Sequence, residues 1–221
     1  MSKVLLTGFG PWAGSTNNPA ESVARALDGE EIAGATVHSF VAPSTFADMI
    51  PSVSAQIDEL RPEIVISMGE FGGRPGLTVE RLAQNYLDAP RYAMGDPAGA
   101  RPQRAIADDG PAAYYATLPI RAMVLAMRGA GVPADISDTA ATFGCNLLMY
   151  GVLHHIAMRG LPIRAGWIHL PALPQTAALD ENLGMPSMHV ETQVSGLRAG
   201  IAAALQHEVD VDSVVRSSFQ L

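Results

Sequence analysis

Residues 134–170 have the sequence ADISDTAATFGCNLLMYGVLHHIAMRGLPIRAGWIHL, and this stretch decides the fold. Ala134–Ser137 is typical of a short strand, and Ile163–Leu170 is typical of a second, more apolar strand. Between them, Thr142 is the predicted N-cap of a helix that continues to about Arg159. A strand, a helix and a second strand in succession indicate an α/β protein with a largely parallel sheet.

The same alternation runs through the rest of the chain. The further strands are predicted at Val4–Leu6, Thr36–Val41, Glu63–Met68 and Leu77–Leu82, and the further helices at Pro19–Leu27, Thr45–Leu60, Pro119–Gly129 and Ser187–Gln206. Residues 89–113 and 171–186 are predicted loops, because they are rich in Pro, Gly and Asp. We therefore expect one domain over residues 1–221, a three-layer α/β/α sandwich with a mostly parallel central sheet. Ligand sites in such folds lie beyond the carboxyl ends of strands.

Composition limits the classes of function. The chain has 221 residues, 48% of them hydrophobic, and a formal net charge of −8, which disfavours nucleic acid and anionic membranes as general partners. A single cysteine excludes an internal disulfide and a multi-cysteine zinc site, and it suits a reducing cytoplasm. No apolar run approaches the roughly 20 residues that span a bilayer. The first apolar run is too short for a signal peptide and is predicted to be a strand.

The single cysteine, Cys145, falls in the first turn of its predicted helix. Backbone N–H groups there lack partners and the helix dipole is positive, so a thiol at this place ionises more readily. A thiolate is a nucleophile, which makes Cys145 a candidate for covalent catalysis. The alternative is a buried cysteine that acts only as a small hydrophobic side chain.

Two further side chains could assist the thiol. His169 lies at the end of a predicted strand that stops at Pro171, where an imidazole could serve as general base and acid. Glu80 is the best candidate for the group that orients the imidazole. Each has a simpler alternative. His169 could be a core histidine. Glu80 could be an exposed strand carboxylate, because the alternation of apolar and polar residues around it does not show which face of the strand it lies on.

Five separated motifs, in order along the chain, resemble the pyroglutamyl peptidase I family, also called pyrrolidone-carboxylate peptidases. The motifs are LLTGFGPW with Asn18-Pro19, GGRP with TVERLA, GPAAYY, TFGCN with MYGVLHH, and IHLP. The resemblance implies removal of an N-terminal pyroglutamyl residue from peptides by a Cys–His–Glu triad, with neither metal nor cofactor. By motif position, the triad falls on Cys145, His169 and Glu80. Arg91 is similar to a family arginine near the active centre.

The resemblance also implies a substrate pocket and an assembly. The residues that would line or adjoin the pocket are Phe9, Trp12, Ser44, Glu70, Tyr92, Phe143 and Gly144. Trp12, Glu70 and Gly144 depart from the family pattern, which has Phe, Gln and a branched apolar residue at these positions. A related thiol amidohydrolase with another acyl specificity, and a catalytically silent binder of small molecules, therefore stay open as alternatives. The family fold is similar to that of nucleoside phosphorylases, and the family often forms homotetramers.

Overall fold

A seven-stranded sheet forms the centre of the computed structural model, which describes residues 2–12 and 17–217. The strands of the protein are β1 (Ser2–Phe9), β2 (Glu31–Ile32), β3 (Ala35–Ala42), β4 (Ile64–Glu70), β5 (Leu77–Glu80), β6 (Leu82–Gln84), β7 (Leu87–Asp88), β8 (Gln103–Arg104), β9 (Ala113–Tyr115), β10 (Ala134–Ser137) and β11 (Arg164–Leu170). The order in the large sheet is β10-β5-β11-β4-β1-β3-β2. Two small two-stranded sheets, β6-β9 and β7-β8, lie outside it.

The direction of the strands changes twice within the sheet, between β11 and β5 and between β3 and β2. Strands β11, β4, β1 and β3 are parallel, whereas β5 is antiparallel to β11 and parallel to β10. Only the end of β11 pairs with β5, where Ile168 faces Val79 and His169 faces Thr78. The sheet is therefore mostly parallel, as predicted, with a reversed pair of strands at one edge and the short β2 at the other.

Helices cover both faces of the sheet. They are α1 (Pro19–Leu27), α2 (Met49–Leu60), α3 (Ile120–Gly129), α4 (Gly144–Met158), α5 (Pro174–Ala177) and α6 (Val190–Gln206). Successive strand residues point to opposite faces, so Ile64 and Ile66 pack in one apolar core with α1, α3 and α6, and Val65 packs in a second core with α2 and α4. This is the predicted three-layer α/β/α arrangement. No helix in residues 2–12 and 17–217 is long and apolar enough to cross a membrane.

Most predicted elements are confirmed, and the differences have local causes. Helix α1 has the predicted bounds, and the Asn18 side chain accepts a hydrogen bond from the N–H of Ala20. Helix α2 starts at Met49, four residues later than predicted, so Pro51 lies in its first turn, where proline is tolerated. The N-cap of α4 is Phe143 and not Thr142, and its side chain makes no capping hydrogen bond.

Candidate active site

A buried pair between His169 and Glu80 forms the centre of the site. His169 Nδ1 lies 2.7 Å from Glu80 Oε1, and the two side chains are 1% and 0% exposed. Their strands explain the contact: His169 is opposite Thr78 in the antiparallel ladder, and Glu80, two residues after Thr78, points to the same face of the sheet. Since a carboxylate only accepts hydrogen bonds, Nδ1 carries the proton and Nε2 is left with its lone pair.

Arg74 neutralises this carboxylate from the other side. Its Nη1 lies 2.7 Å from the same Glu80 Oε1 that His169 contacts, and it also donates to Thr78 Oγ1. The guanidinium carbon lies 3.9 Å from the centre of the Phe71 ring. Arg74 is 7% exposed, so this charge belongs to the interior of the site. A buried carboxylate needs such a partner, because an unpaired buried charge is strongly destabilising.

The sulfur of Cys145 lies on the face of the sheet that carries His169. Gly69 is the register partner of His169 in the parallel ladder, so a side chain at either position points to the same face. A Cβ atom added to Gly69 would lie 2.8 Å from Cys145 Sγ and 2.8 Å from Trp167 Cζ2. The missing side chain of Gly69 therefore leaves the space that the thiol occupies.

Burial changes the protonation of both groups. It raises the pKa of Cys145 to about 12, and the negative charge of Glu80 adds to this, while Arg74 and the backbone N–H of Cys145 oppose it. Burial also lowers the pKa of His169, against the raising effect of its hydrogen bond to Glu80. The direction for Cys145 is opposite to the one expected from the start of a helix, because desolvation is the largest cause of its pKa shift. Both shifts favour the uncharged form of the group concerned.

The start of α4 is fixed by Asn146, which the sequence analysis did not single out. Its Oδ1 accepts from the N–H of Gln84 at 2.8 Å, and its Nδ2 donates to the carbonyls of Gln84 and Tyr86 at 2.9 and 3.0 Å. The first helical hydrogen bond of α4 runs from Leu147 N to Phe143 O. The N–H groups before Leu147, including that of Cys145, have no acceptor in the preceding turn, as at every helix start. N–H groups at the start of a helix can donate to an oxyanion.

A cavity of about 240 Å³ opens beside the thiol. Its walls are formed by Phe9, Trp12, Asn17, Asn18, Glu70, Met94, Phe143, Gly144 and Cys145. The aromatic rings support one another: Phe143 lies 5.5 Å from Trp12 and 5.3 Å from Phe46, measured between ring centres. Burial raises the pKa of the carboxyl group of Glu70, which is the one acid among the described lining residues. The volume is below the about 300–1,000 Å³ of sites for drug-sized ligands, so the cavity suits a small, flat and mainly apolar group.

Five of the seven predicted pocket residues line this cavity, namely Phe9, Trp12, Glu70, Phe143 and Gly144. Tyr92 and Ser44 are not among its described lining residues. Tyr92 supports the wall from behind, with its ring centre 5.5 Å from that of Phe143 and its hydroxyl group 3.2 Å from Thr142 Oγ1. Ser44 is half-buried shortly before α2.

Arg91 lies apart from the predicted triad. It is exposed in a short 3₁₀ turn, Pro90–Tyr92, where its backbone N–H donates to Asp88 Oδ1. In residues 2–12 and 17–217 it makes no hydrogen bond or ion pair with Cys145, His169 or Glu80. Its role therefore stays a prediction from the resemblance, and the arginine that contacts Glu80 is Arg74.

Several residues of the site were missed by the sequence analysis. Asn17, Asn18 and Met94 line the cavity, Arg74 contacts Glu80, and Asn146 fixes the start of α4. Arg74 lies within the GGRP motif, six residues before Glu80, but sequence spacing alone did not indicate an ion pair across a turn. Among the described residues, no three His, Cys, Asp or Glu side chains are grouped so that they could hold a metal ion.

Comparison with known proteins gives the family. The pyroglutamyl peptidase family model matches residues 2–207. The chain belongs to the pyroglutamyl peptidase family. The pyrrolidone-carboxylate peptidase of Mycobacterium marinum is 57% identical over 222 residues, with 100% of both chains covered. That of Mycobacterium tuberculosis strain H37Rv is 56% identical over 226 residues, again with full coverage of both.

Solved structures of this family have the same fold. Pyrrolidone carboxyl peptidase from Thermococcus litoralis superposes with a TM-score of 0.91 at 34% identity, covering 97% of this chain and 100% of its own. Pyroglutamyl peptidase I from Bacillus amyloliquefaciens gives a TM-score of 0.90 at 34% identity, covering 96% of this chain and 100% of its own. The predicted fold class and the stated family resemblance are both confirmed.

Proposed function

We propose that this protein removes N-terminal pyroglutamyl residues from peptides, with Cys145 as nucleophile, His169 as general base and acid, and Glu80 as the orienting carboxylate. The observation that carries the proposal is the buried His169–Glu80 contact of 2.7 Å on the sheet face where Cys145 Sγ lies. Membership of the pyroglutamyl peptidase family supports the choice of substrate.

The first half of the reaction follows from the tautomer of His169. As Cys145 Sγ bonds to the pyroglutamyl carbonyl carbon, Nε2 of His169 takes the thiol proton. The N–H groups at the start of α4 stabilise the resulting oxyanion. His169 then gives the proton to the leaving amine as the C–N bond breaks, and a thioester remains on Cys145. Transfer during attack avoids a free thiolate, which agrees with the raised pKa of Cys145.

The second half reverses these roles with water. His169 takes one proton from the water that attacks the thioester carbonyl carbon, and the C–S bond breaks. The proton returns to the sulfur, and pyroglutamic acid leaves. Glu80 stabilises the imidazolium that exists in each half, while Arg74 balances the charge of Glu80. Each cycle thus consumes one water molecule and releases one amine.

The cavity supports a pyroglutamyl group as the acyl part. Its aromatic walls can enclose the flat lactam ring, and Glu70 is a polar group that can contact the ring amide. Because burial raises the pKa of Glu70, its protonated form is accessible and can donate to the lactam carbonyl. An ionised Glu70 can only accept from the ring N–H.

Glu70 also favours one alternative, a thiol amidohydrolase with another acyl group. An acid in the wall would suit an acyl group that carries a hydrogen-bond donor, whereas a silent binder leaves the buried His169–Glu80 pair without a use.

We propose further that residues 1–221 act as one domain in the cytoplasm, where Cys145 stays reduced. A homotetramer remains an expectation from the resemblance.

A substrate panel tests the proposed function. Wild-type protein and Cys145→Ala are assayed on pyroglutamyl, prolyl and N-acetylalanyl amides of the same fluorogenic amine. We expect wild type to hydrolyse the pyroglutamyl amide well ahead of the other two, and Cys145→Ala to be inactive with an unchanged circular dichroism spectrum. Preference for the N-acetyl amide would instead support the alternative acyl specificity, and inactivity of wild type on all three would support a binder.

A further inference from the structure

An exposed aromatic ring lies directly beside the buried histidine. Phe71 is 36% exposed, and its ring centre is 5.2 Å from that of His169 at an interplanar angle of 84°. Arg74 holds the ring in place from another direction, at 3.9 Å from its centre. An aromatic side chain that stays exposed at the edge of a site presents apolar surface to whatever enters that site.

The substrate must extend in two directions from Cys145. The acyl group enters the cavity, whose described walls include Cys145 but neither His169 nor Phe71. The leaving amine takes its proton from His169, so it must lie within hydrogen-bond reach of the imidazole when the C–N bond breaks. The residue that carries this amine therefore lies on the His169 side of the sulfur, where the ring of Phe71 is exposed.

Met185 brings a second apolar side chain to the turn that follows Phe71. A Cβ atom at Gly72, the residue after Phe71, would lie 3.6 Å from Met185 Sδ and 3.8 Å from Glu70 Oε1. Met185 thus lies beside the turn that begins at Gly72, directly after Phe71, and close to Glu70 of the cavity wall. Its segment is held by hydrogen bonds from Met185 N to Asn182 O and from Met188 N to Ala172 O. A flexible thioether beside a held ring can adapt to side chains of different shape.

We propose that Phe71 and Met185 form a subsite for the residue that follows pyroglutamate, and that this subsite favours large apolar or aromatic side chains. The inference rests on the proposed function, because it takes the acyl group into the cavity and the amine to His169. It adds a specificity for the residue whose amine is released. Neither the cavity nor the triad accounts for that specificity.

The test compares two peptide amides that differ only in the leaving residue. These are pyroglutamyl-phenylalanine amide and pyroglutamyl-alanine amide, and the readout is the ratio of their kcat/KM values. We expect wild type to prefer phenylalanine by about 10-fold, the lower end of what added apolar contact contributes to discrimination. Phe71→Ala should bring the ratio close to one, and Met185→Ala should lower it partly. Tyr115→Ala, which removes another exposed ring outside the site, should leave it unchanged.

The outcomes separate this inference from the proposed function. If wild type hydrolyses both amides at equal kcat/KM, the subsite is refuted while the peptidase activity stands, and this result does not depend on any variant folding. If Phe71→Ala slows both substrates by the same factor, Phe71 acts only by packing against His169, which also overturns the subsite. If wild type hydrolyses neither amide, the proposed function itself has failed.

Discussion

Glu70 is the pocket residue whose chemistry differs most from the family pattern, which has Gln at this position. It ends β4, lines the cavity, and has a pKa that burial raises. A protonated carboxyl group can both donate and accept, as a glutamine does, whereas the ionised form only accepts. The strength of substrate binding should therefore depend on the protonation of Glu70.

We expect KM for a pyroglutamyl amide to worsen as the pH rises through the raised pKa of Glu70, because the donor to the lactam carbonyl is lost. Glu70→Gln keeps a donor at every pH. At alkaline pH it should improve kcat/KM by about 10-fold, the effect of one regained hydrogen bond of about 1–1.5 kcal/mol. KM measured against pH for both proteins checks this, with the exposed Glu181→Gln as control. Superimposable curves for wild type and Glu70→Gln would show that Glu70 does not contact the substrate.

Arg74 is a positioning residue that pairs with Glu80 and whose charge also acts on His169. The guanidinium lowers the pKa of His169, so its removal should raise that pKa. His169 must be neutral to accept the thiol proton. As the pH falls, Arg74→Gln should therefore lose its activity at a higher pH than the wild type does. Arg74→Lys keeps the charge and should restore much of the wild-type profile.

The measurement is the acid limb of kcat/KM against pH, with Arg198→Gln as control because Arg198 pairs with Glu30 on the surface. If Arg74→Gln lowers kcat/KM equally at all pH values and Arg74→Lys does not restore it, Arg74 serves only the packing of the site.

At the scale of elements, the site depends on how closely α4 approaches β4. Asn146 fixes the start of α4 to the backbone of Gln84 and Tyr86, and Gly69 leaves room for Cys145 Sγ on the sheet. Both contacts bring together residues far apart in the sequence. The position of Cys145 Sγ is thus set by packing between elements rather than by the helix start alone.

Gly69→Ala should displace the thiol, since the new Cβ would lie 2.8 Å from both Cys145 Sγ and the Trp167 ring. We expect kcat/KM to fall about 100-fold, as for a displacement of about 1 Å in an active site. Gly166→Ala is the matched control: it lies on β11, and its Cβ would meet Leu118 Cδ1 at 2.7 Å in the other core. The control should lose stability in a thermal melt but keep its activity. Equal losses of activity in the two variants would argue against a specific role for Gly69.

The elements themselves were largely predictable, because their signals are local. Asn18 before Pro19 marked the start of α1, and Pro62 marked the end of α2. The start of α2 was predicted four residues too early, because the helical pattern extends back to Thr45 while the helix begins only at Met49. The predicted strand Leu77–Leu82 divides into β5 and β6, since the chain leaves the large sheet after Glu80.

For the whole molecule, the fold class followed from the alternation of strands and helices, but the reversal of β5 and β10 did not. Strand direction depends on long-range pairing, which periodicity does not report. For the same reason, the sequence did not show which face of the sheet Glu80 points to, and it did not indicate the ion pair between Glu80 and Arg74. Burial likewise set the pKa of Cys145 against the expectation from its helix position. Most of the residues that line the pocket were predicted from the family resemblance. That Asn17, Asn18 and Met94 also line it became clear only from the packing in the structure.

The central claim is that Cys145, His169 and Glu80 act as one catalytic unit on pyroglutamyl amides. The most direct test is kcat for Cys145→Ala, His169→Ala and the double variant on one fluorogenic pyroglutamyl amide. Members of a unit are strongly non-additive, so each single change should cost at least about 10⁴-fold and the double variant should be no slower than the singles. The account would be contradicted if the losses in kcat of the two single variants multiplied in the double variant. It would also be contradicted if Cys145→Ala worked at the wild-type rate.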